Sequence, residues 1–316
     1  MRGKRLSSPA FLVLAVLACV CAAPARANDD RIAPLAMQEV AAGIYVHTGA
    51  HEEPAATNRG DVANIGFIVG ERCVAVVDTG ASLAIGRALR AAVRAVTPLP
   101  VCFVINTHVH PDHILGNAAF RDDHPTFVGH AKLPAAMAAK GPIYQRALAR
   151  DIGSAAEGSD LIAPGQTVVE RSELDLGGRV LDLRAWRTAH TDNDLTVFDR
   201  ATETLWLSDL LFAERIPVLD GSIRGWLAVI DELSAFAARR VVPGHGSPNL
   251  PWPQALAPQR AYLATLAADI RRALADGQTL ARTVETAAAA ERGNWLLFDM
   301  YNRRNAAAAF AELEWE

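Results

Sequence analysis

The chain has 316 residues, 31 basic and 35 acidic, a formal charge of −4, and 51% apolar residues. An acidic balance is a poor footprint for nucleic acid. This length and apolar content supply ample core for one large domain or two smaller ones.

The first 27 residues read as a leader rather than as fold. "MRGKRLSSPA" is a charged n-region, "FLVLAVLACVC" a short apolar core, and "ARA" at 25–27 a small-residue cleavage site, placing the mature start near Asn28. The apolar run is short for a bilayer span. A retained anchor and a lipoprotein cut before Cys19 compete with cleavage, the second weakened by Leu17. Losing the leader removes Arg2, Lys4, Arg5 and Arg26 and no acid, which takes the formal charge to −8. The expectation is an exported protein, periplasmic or secreted, with no membrane attachment after cleavage.

"GIYVHTG" and "NIGFIVG" read as strands ended by glycine, and "CVAVVDTG" as a third. "SLAIGRALRAAVRAV" (82–96) has apolar residues at helical spacing and runs into Pro98 and Pro100. "VCFVIN" is a buried strand that completes a βαβ unit. An alanine-rich helix follows around "AKLPAAMAAK", then strands "QTVVE", "ELDLG", "RVLDLRAW", "LTVFD" and "TLWLSD". "GWLAVIDELSAFA" is an amphipathic helix and "RRVVPGHG" a strand ending in a glycine turn. From Pro253 onward the pattern is helical. These elements predict one α/β domain over 28–250 with a helical C-terminal extension, 251–316, packed on it.

Cys73 and Cys102 sit at comparable positions of two predicted strands. A disulfide in an oxidising compartment and two buried free thiols both satisfy that placement. No C-x-x-C spacing exists, which argues against a thiolate metal site.

The densest chemistry is "INTHVHPDHILGN" (105–117), where His108, His110, Asp112 and His113 fall within six positions after a buried strand. Imidazole and carboxylate donors suit zinc, and also iron or manganese. Two adjacent ions need more ligands than one cluster supplies. Three candidates stand at predicted strand ends: His190 in "RTAHTDND", Asp209 in "LWLSDLLF" and His245 in "VVPGHGSP".

"THVHPDHILGN", "AHTDND", "LSDLLF" and "VPGHG", in that order over roughly residues 38–250, resemble the metallo-β-lactamase superfamily. The resemblance implies a four-layer αββα sandwich with metals in a cleft at one edge. It implies that His108, His110 and His190 bind one zinc and Asp112, His113 and His245 a second, with Asp209 bridging. Asp78 in "VVDTG" resembles the family's aspartate that supports the ligand loop. Asp209 stands where thiolate-type lactamases carry cysteine, which resembles glyoxalase-II-like and lactonase-like hydrolases. "HTDND" looks more lactamase-like than the usual "HTPG" of thioesterases. The leader, "YLATLAADIRRALADG" and "RNAAAAFAELEWE" resemble the exported quinoprotein relay system zinc metallohydrolases, implying a quinoprotein dehydrogenase system as partner.

The chemistry expected of two such metals is hydrolysis of an ester, lactone, lactam or thioester of a small molecule. A water between the metals, near Asp112 and Asp209, is the nucleophile. A mononuclear iron enzyme oxidising a sulfur substrate and a non-catalytic metal- or cofactor-handling accessory are the rivals. No G-x-S-x-G supports a serine hydrolase. His130 reads as a helix-start residue or as cleft-facing, Asn193 and Asp194 as turn residues or cleft lining, and "TNRGDVANIG" (57–66) as a mobile loop or a hairpin connection.

Overall fold

The computed structural model describes residues 3 and 32–316; apart from Gly3, the expected leader and its cleavage site lie outside the described residues. The elements in chain order are β1 (Gln38–Ala41), β2 (Ile44–His47), β3 (Ile65–Val69), β4 (Val74–Val77), α1 (Leu83–Val96) and β5 (Val101–Asn106). A one-turn helix α2 (Pro111–Ile114), β6 (Thr126–His130), α3 (Leu133–Ile152), β7 (Gln166–Val168), β8 (Arg171–Asp175) and β9 (Val180–Ala185) follow. Then come β10 (Leu195–Asp199), β11 (Thr204–Phe212), α4 (Ile223–Ser234), β12 (Arg240–His245), α5 (Leu256–Ala275), α6 (Leu280–Thr286) and α7 (Phe298–Leu313).

Runs such as "VAVV" in β4 lack polar alternation because both faces of their sheet are covered. Seven strands pair in the order β1-β2-β3-β4-β5-β6-β7 and five in the order β12-β11-β10-β9-β8. Ala75 and Val77 turn inward and join Ile44, Ile105, Leu183, Val197, Trp206 and Val242 in the core between the sheets. Val74 and Val76 turn outward against Ile85, Leu89 and Val93 of α1. On the far sheet, Leu205, Leu207 and Val241 carry α4, α5 and α7 through Trp226, Tyr262, Leu266 and Phe310. The result is a mixed α/β fold of two facing sheets with helices outside each: the αββα sandwich, with C-terminal helices sharing the outer core. No helix among the described residues is long and apolar enough to cross a membrane.

The helix ends follow local chemistry. Ser82 caps α1 by accepting from Ile85 N, and Ser222 caps α4 by accepting from Gly225 N. Helix α3 runs through Gly141 and Pro142 to Ile152, well past the expected alanine-rich stretch. Leu133, Met137, Leu148 and Ile152 keep one stripe buried along its length, and packing of that stripe overrides the helix-breaking tendency of proline. Cys73 and Cys102 form a disulfide with Cα atoms 5.8 Å apart. Between the two readings left open by the sequence, the bonded one is present.

Candidate metal centre

Parallel pairing of β4 and β5 places the first histidines. Asp78, just after β4, lies beside Thr107, just after β5, and holds it through Thr107 N to Oδ1 at 2.8 Å and the Thr107 hydroxyl to Oδ2 at 2.7 Å. The chain then turns so that His110 precedes α2 with Pro111 in its first position, where a missing N–H costs nothing. This one-turn helix aims Asp112 and His113 back toward His108 and His110.

The other ligands arrive from the second sheet, and their placement corrects two expectations. Asp209 does not end a strand. β11 continues to Phe212, and register skips around Ser208, at φ +48°, mark a bulge that re-aims the acid into the cleft. His190 lies in the loop between β9 and β10 rather than at a strand end, tied by its Nδ1–H to Val218 O at 2.7 Å. His245 ends β12 as expected. Beside it, Gly244 is obligatory, since a Cβ there would overlap Asp209 Oδ1.

All seven side chains converge in two donor groups, His108/His110/His190/Asp209 and Asp112/His113/His245. His110 Nδ1 lies 3.1 Å from His108 Nε2 and 2.9 Å from His190 Nε2. Asp209 Oδ2 lies 3.6 Å from His108 Nε2, 3.4 Å from His190 Nε2 and 3.4 Å from His245 Nε2, while its Oδ1 faces His113 Nε2 at 3.1 Å. Asp112 Oδ2 stands 3.5 Å from His245 Nε2 and 3.8 Å from His113 Nε2. Donors around a tetrahedral zinc at about 2.0–2.2 Å stand roughly 3.3–3.6 Å apart. The contacts of Asp209 Oδ2 and that of Asp112 with His245 fall in this range, and the others lie within about 0.4 Å of it.

The outer ring nitrogens reinforce that fit. His113 Nδ1 is 2.8 Å from Asp78 Oδ2, His245 Nδ1 is 2.7 Å from Val62 O, His108 Nδ1 is 3.0 Å from Thr107 Oγ1, and His110 Nε2 is 3.2 Å from Asp220 Oδ2. Donating outward leaves the inner nitrogens as bare lone pairs turned toward one another and toward Asp209. His113 Nε2 and Asp209 Oδ1 are buried with no hydrogen-bond partner. Such a set of acceptors is unfavourable unless positive charge sits among them.

Titration follows the same logic. Burial and the neighbouring His113 drive the His108 pKa well below its usual value, and burial with His110 brings His190 down to about 3. Both are neutral imidazoles at pH 7. Burial would lower His113 too, but Asp209, Asp78 and Asp112 outweigh it and raise His113 well above the ordinary range. Burial opposes ionisation of Asp209 and Asp112; the surrounding histidines prevail and lower both.

Residues invisible as ligands in the sequence complete the centre. Ser208 is within 2.8 Å of the Thr107 hydroxyl and 3.2 Å of Asp78 Oδ2. Asn64 donates to Pro243 O and Gly246 O, so the 57–66 connection braces the His245 turn. Asp220 receives His110 on one side and Lys140 Nζ, at 2.7 Å, on the other. Asn64 and Ser208 fall in stretches the sequence singled out, but nothing there marks them as supports of the ligands, and Asp220 lies in no recognisable motif. Asp194 caps its own loop by accepting from Thr191 N and Oγ1, and Asn193 donates to Asp192: both are turn residues. His130 ends β6, with Nδ1 accepting from Lys132 N, rather than starting a helix.

An αββα sandwich with a buried His/Asp cluster suited to divalent metal at one edge defines a class of metal-binding scaffold. The metallo-β-lactamase superfamily profile matches residues 58–245, more than half the chain. The chain belongs to the metallo-β-lactamase superfamily. No curated protein sequence matches it. Among solved structures it is similar to TMB-1, at 18% identity and TM-score 0.57, over 74% of this chain and 98% of that one. It is similar to a metallo-β-lactamase from Pontibacter korlensis, at 18% identity and TM-score 0.56, over 73% and 99% of the two chains. It is also similar to the sec-alkylsulfatase Pisa1 from Pseudomonas sp., at 16% identity and TM-score 0.67, over 88% of this chain and 50% of that one. At these identities the likeness is one of fold.

Proposed function

We propose that the protein is an exported, dinuclear zinc-dependent hydrolase acting on an acyl bond of a small molecule. The observation that carries this reading is the position of Asp209. One oxygen faces His108, His190 and His245 at 3.4–3.6 Å and the other faces His113 at 3.1 Å, so a single carboxylate serves both donor groups. A mononuclear site has no use for the second group, which weighs against the sulfur-oxidising iron reading. Family membership supports metal-dependent hydrolysis as the reaction type.

His108, His110 and His190 would hold one ion, Asp112, His113 and His245 the other, and Asp209 both. Divalent cations so bound supply acidified water and a Lewis acid for the acyl oxygen. The protein's own groups do the rest. Asp112 is the more exposed of the two acidic ligands, its side chain 15% exposed against 4% for Asp209. Its carboxylate is ionised at neutral pH and orients a water by accepting a proton bond. The outward hydrogen bonds to Asp78, Val62 and Val218 lock the imidazoles, so little reorganisation accompanies reaction.

Export is supported by the leader pattern and by the Cys73–Cys102 bond, a feature of oxidising compartments. The proposed link to a quinoprotein dehydrogenase system rests on the C-terminal sequence likeness alone. The test is metal analysis of purified protein beside turnover on thioesters, lactones, lactams and simple esters. Secondary alkyl sulfates join the panel because of the fold likeness to Pisa1. Two zinc per chain with turnover supports the proposal. One iron with oxygen consumption on a sulfur substrate overturns it, and inactivity of loaded protein in both assays favours the accessory role.

A further inference from the structure

Two helices stand beside the metal centre on the His110–Asp220 side, and each carries a cation, a tyrosine and a large apolar residue. On α3, Lys140, Ile143 and Tyr144 share one face; on α7, Met300, Tyr301 and Arg304 share another, by three- and four-residue spacing. Asp220 joins the helices, with Oδ2 at 2.7 Å from Lys140 Nζ and Oδ1 at 3.4 Å from Arg304 Nη2. The same Oδ2 stands 3.2 Å from His110 Nε2, so both cations stand one carboxylate away from a metal ligand.

Around Asp220 the two cations outnumber the acid that they share. Lys140 and Arg304 share one carboxylate, and no other acid among the described residues lies within ion-pair distance of either. Their side chains are 39% and 55% exposed, within reach of a ligand in a chain that is acidic overall. Ile143 and Met300 are 57% and 54% exposed and offer apolar surface on the helix faces that carry Lys140 and Arg304. The Tyr144 ring packs 6.2 Å from that of His110, and its hydroxyl has no hydrogen-bond partner among the described residues. Tyr144 feels the charges of Asp220, Arg304 and Asp112, and Tyr301 those of Arg215, Glu53 and Asp112. The two aromatics therefore border the mouth near the more exposed acidic ligand. Arg304, Tyr301 and Met300 lie beyond residues 58–245, the span matched by the superfamily.

We infer that the substrate is an amphiphilic anion: an acyl compound whose apolar body lies across Ile143 and Met300 and whose remote oxyacid group is held by Arg304 and Lys140. The inference rests on the hydrolase reading for its acyl bond, but not for its anion site. Arg304 and Lys140 act as binding residues. The C-terminal extension thereby sets specificity for a centre built elsewhere in the chain.

The experiment separates the two readings. Octanoate and suberate, equal in length, are titrated calorimetrically into the zinc-loaded full chain; both offer the metals one carboxylate, and only suberate offers a second. A charge-assisted pair at the rim predicts suberate binding about ten-fold tighter, with the ratio shrinking at high salt. The ratio should fall toward one in Arg304→Gln and Lys140→Gln and be partly retained in Arg304→Lys, with melting curves confirming that each variant is folded. In parallel, p-nitrophenyl hexanoate and mono-p-nitrophenyl adipate are compared as substrates, the adipate ester being preferred through a lower KM. Equal affinities for the two acids, or a preference untouched by the Arg304 and Lys140 variants, would overturn the anion site. Failure of both esters with an intact, Arg304-dependent suberate preference would leave the anion site standing and count against acyl hydrolysis.

Discussion

His113 Nε2 and Asp209 Oδ1 face each other across 3.1 Å with no hydrogen bond between them. Nδ1 of the same ring is committed to Asp78. Were the ring neutral, a lone pair would face a carboxylate, so the gap calls for a proton or a metal ion. Against the effect of burial, Asp209, Asp78 and Asp112 raise the pKa of His113 well above the ordinary range, which favours a proton on this ring in the absence of a cation.

Metal uptake should therefore displace that proton. Zinc affinity at this centre is expected to rise with pH through neutrality, by up to about ten-fold per unit for each proton lost, and to level off above the His113 pKa. Competition titrations across this range, with calorimetry in buffers of different ionisation enthalpy, read both slope and proton count. A pH-independent affinity would contradict it.

Asp209→Asn keeps the shape and removes the charge facing both donor groups. Bound zinc should fall from two per chain toward one, and turnover by at least the roughly 10–100-fold that loss of an outer-sphere partner costs. Asp112→Asn should lower kcat more than it raises KM, because that carboxylate orients the attacking water. Metal analysis and steady-state kinetics on the same preparations distinguish the two variants.

Asp78→Ala leaves all seven ligands in place but frees His113 Nδ1 and both Thr107 contacts. We expect zinc affinity to drop about 10–100-fold. A chelator-competition assay giving the wild-type value would show that the outer contact does not orient the ring.

Far from the site, Arg179 grips Asp199 through two 2.8 Å bonds and donates to Val69 O in the facing sheet. Burial opposes ionisation of Asp199, but the bonds from Arg179 and Thr202 lower its pKa overall. Its stabilisation is thus full above the unfolded value near ~3.9 and is lost as pH falls through the depressed native value. Asp199→Asn should cost about 3–5 kcal/mol at neutral pH, as an uncompensated Arg179 remains. The deficit relative to wild type should narrow in acid, as chemical denaturation from neutral pH downward would reveal.

The Cys73–Cys102 bond closes a loop with a sequence separation of 29. Chain-entropy reasoning gives it about 3–4 kcal/mol. Cys73→Ser/Cys102→Ser should melt lower by that margin, and intact mass of exported protein should show two hydrogens fewer than the reduced chain. The same spectrum reads whether the mature chain begins near Asn28.

The sequence alone carried the ligands. A buried strand followed by four donor residues in six positions is local information, and "AHTDND" and "VPGHG" each place one donor beside a turn or glycine. The apolar run "VCFVIN" likewise marked a buried strand. Tertiary structure decided what those residues do together. Ser208 adopts φ +48° where β11 bulges, and its hydroxyl there meets the Asp78–Thr107 pair from the other sheet; no property of "LWLSDLLF" encodes that meeting. Asp220, Lys140 and Arg304 lie 80 and 84 positions apart, in segments with no shared pattern. Only the packing of α3 and α7 beside the metal cleft turns an ordinary turn aspartate and two surface cations into its rim. Ligand type is written residue by residue, whereas charge balance and access belong to surfaces assembled from distant segments.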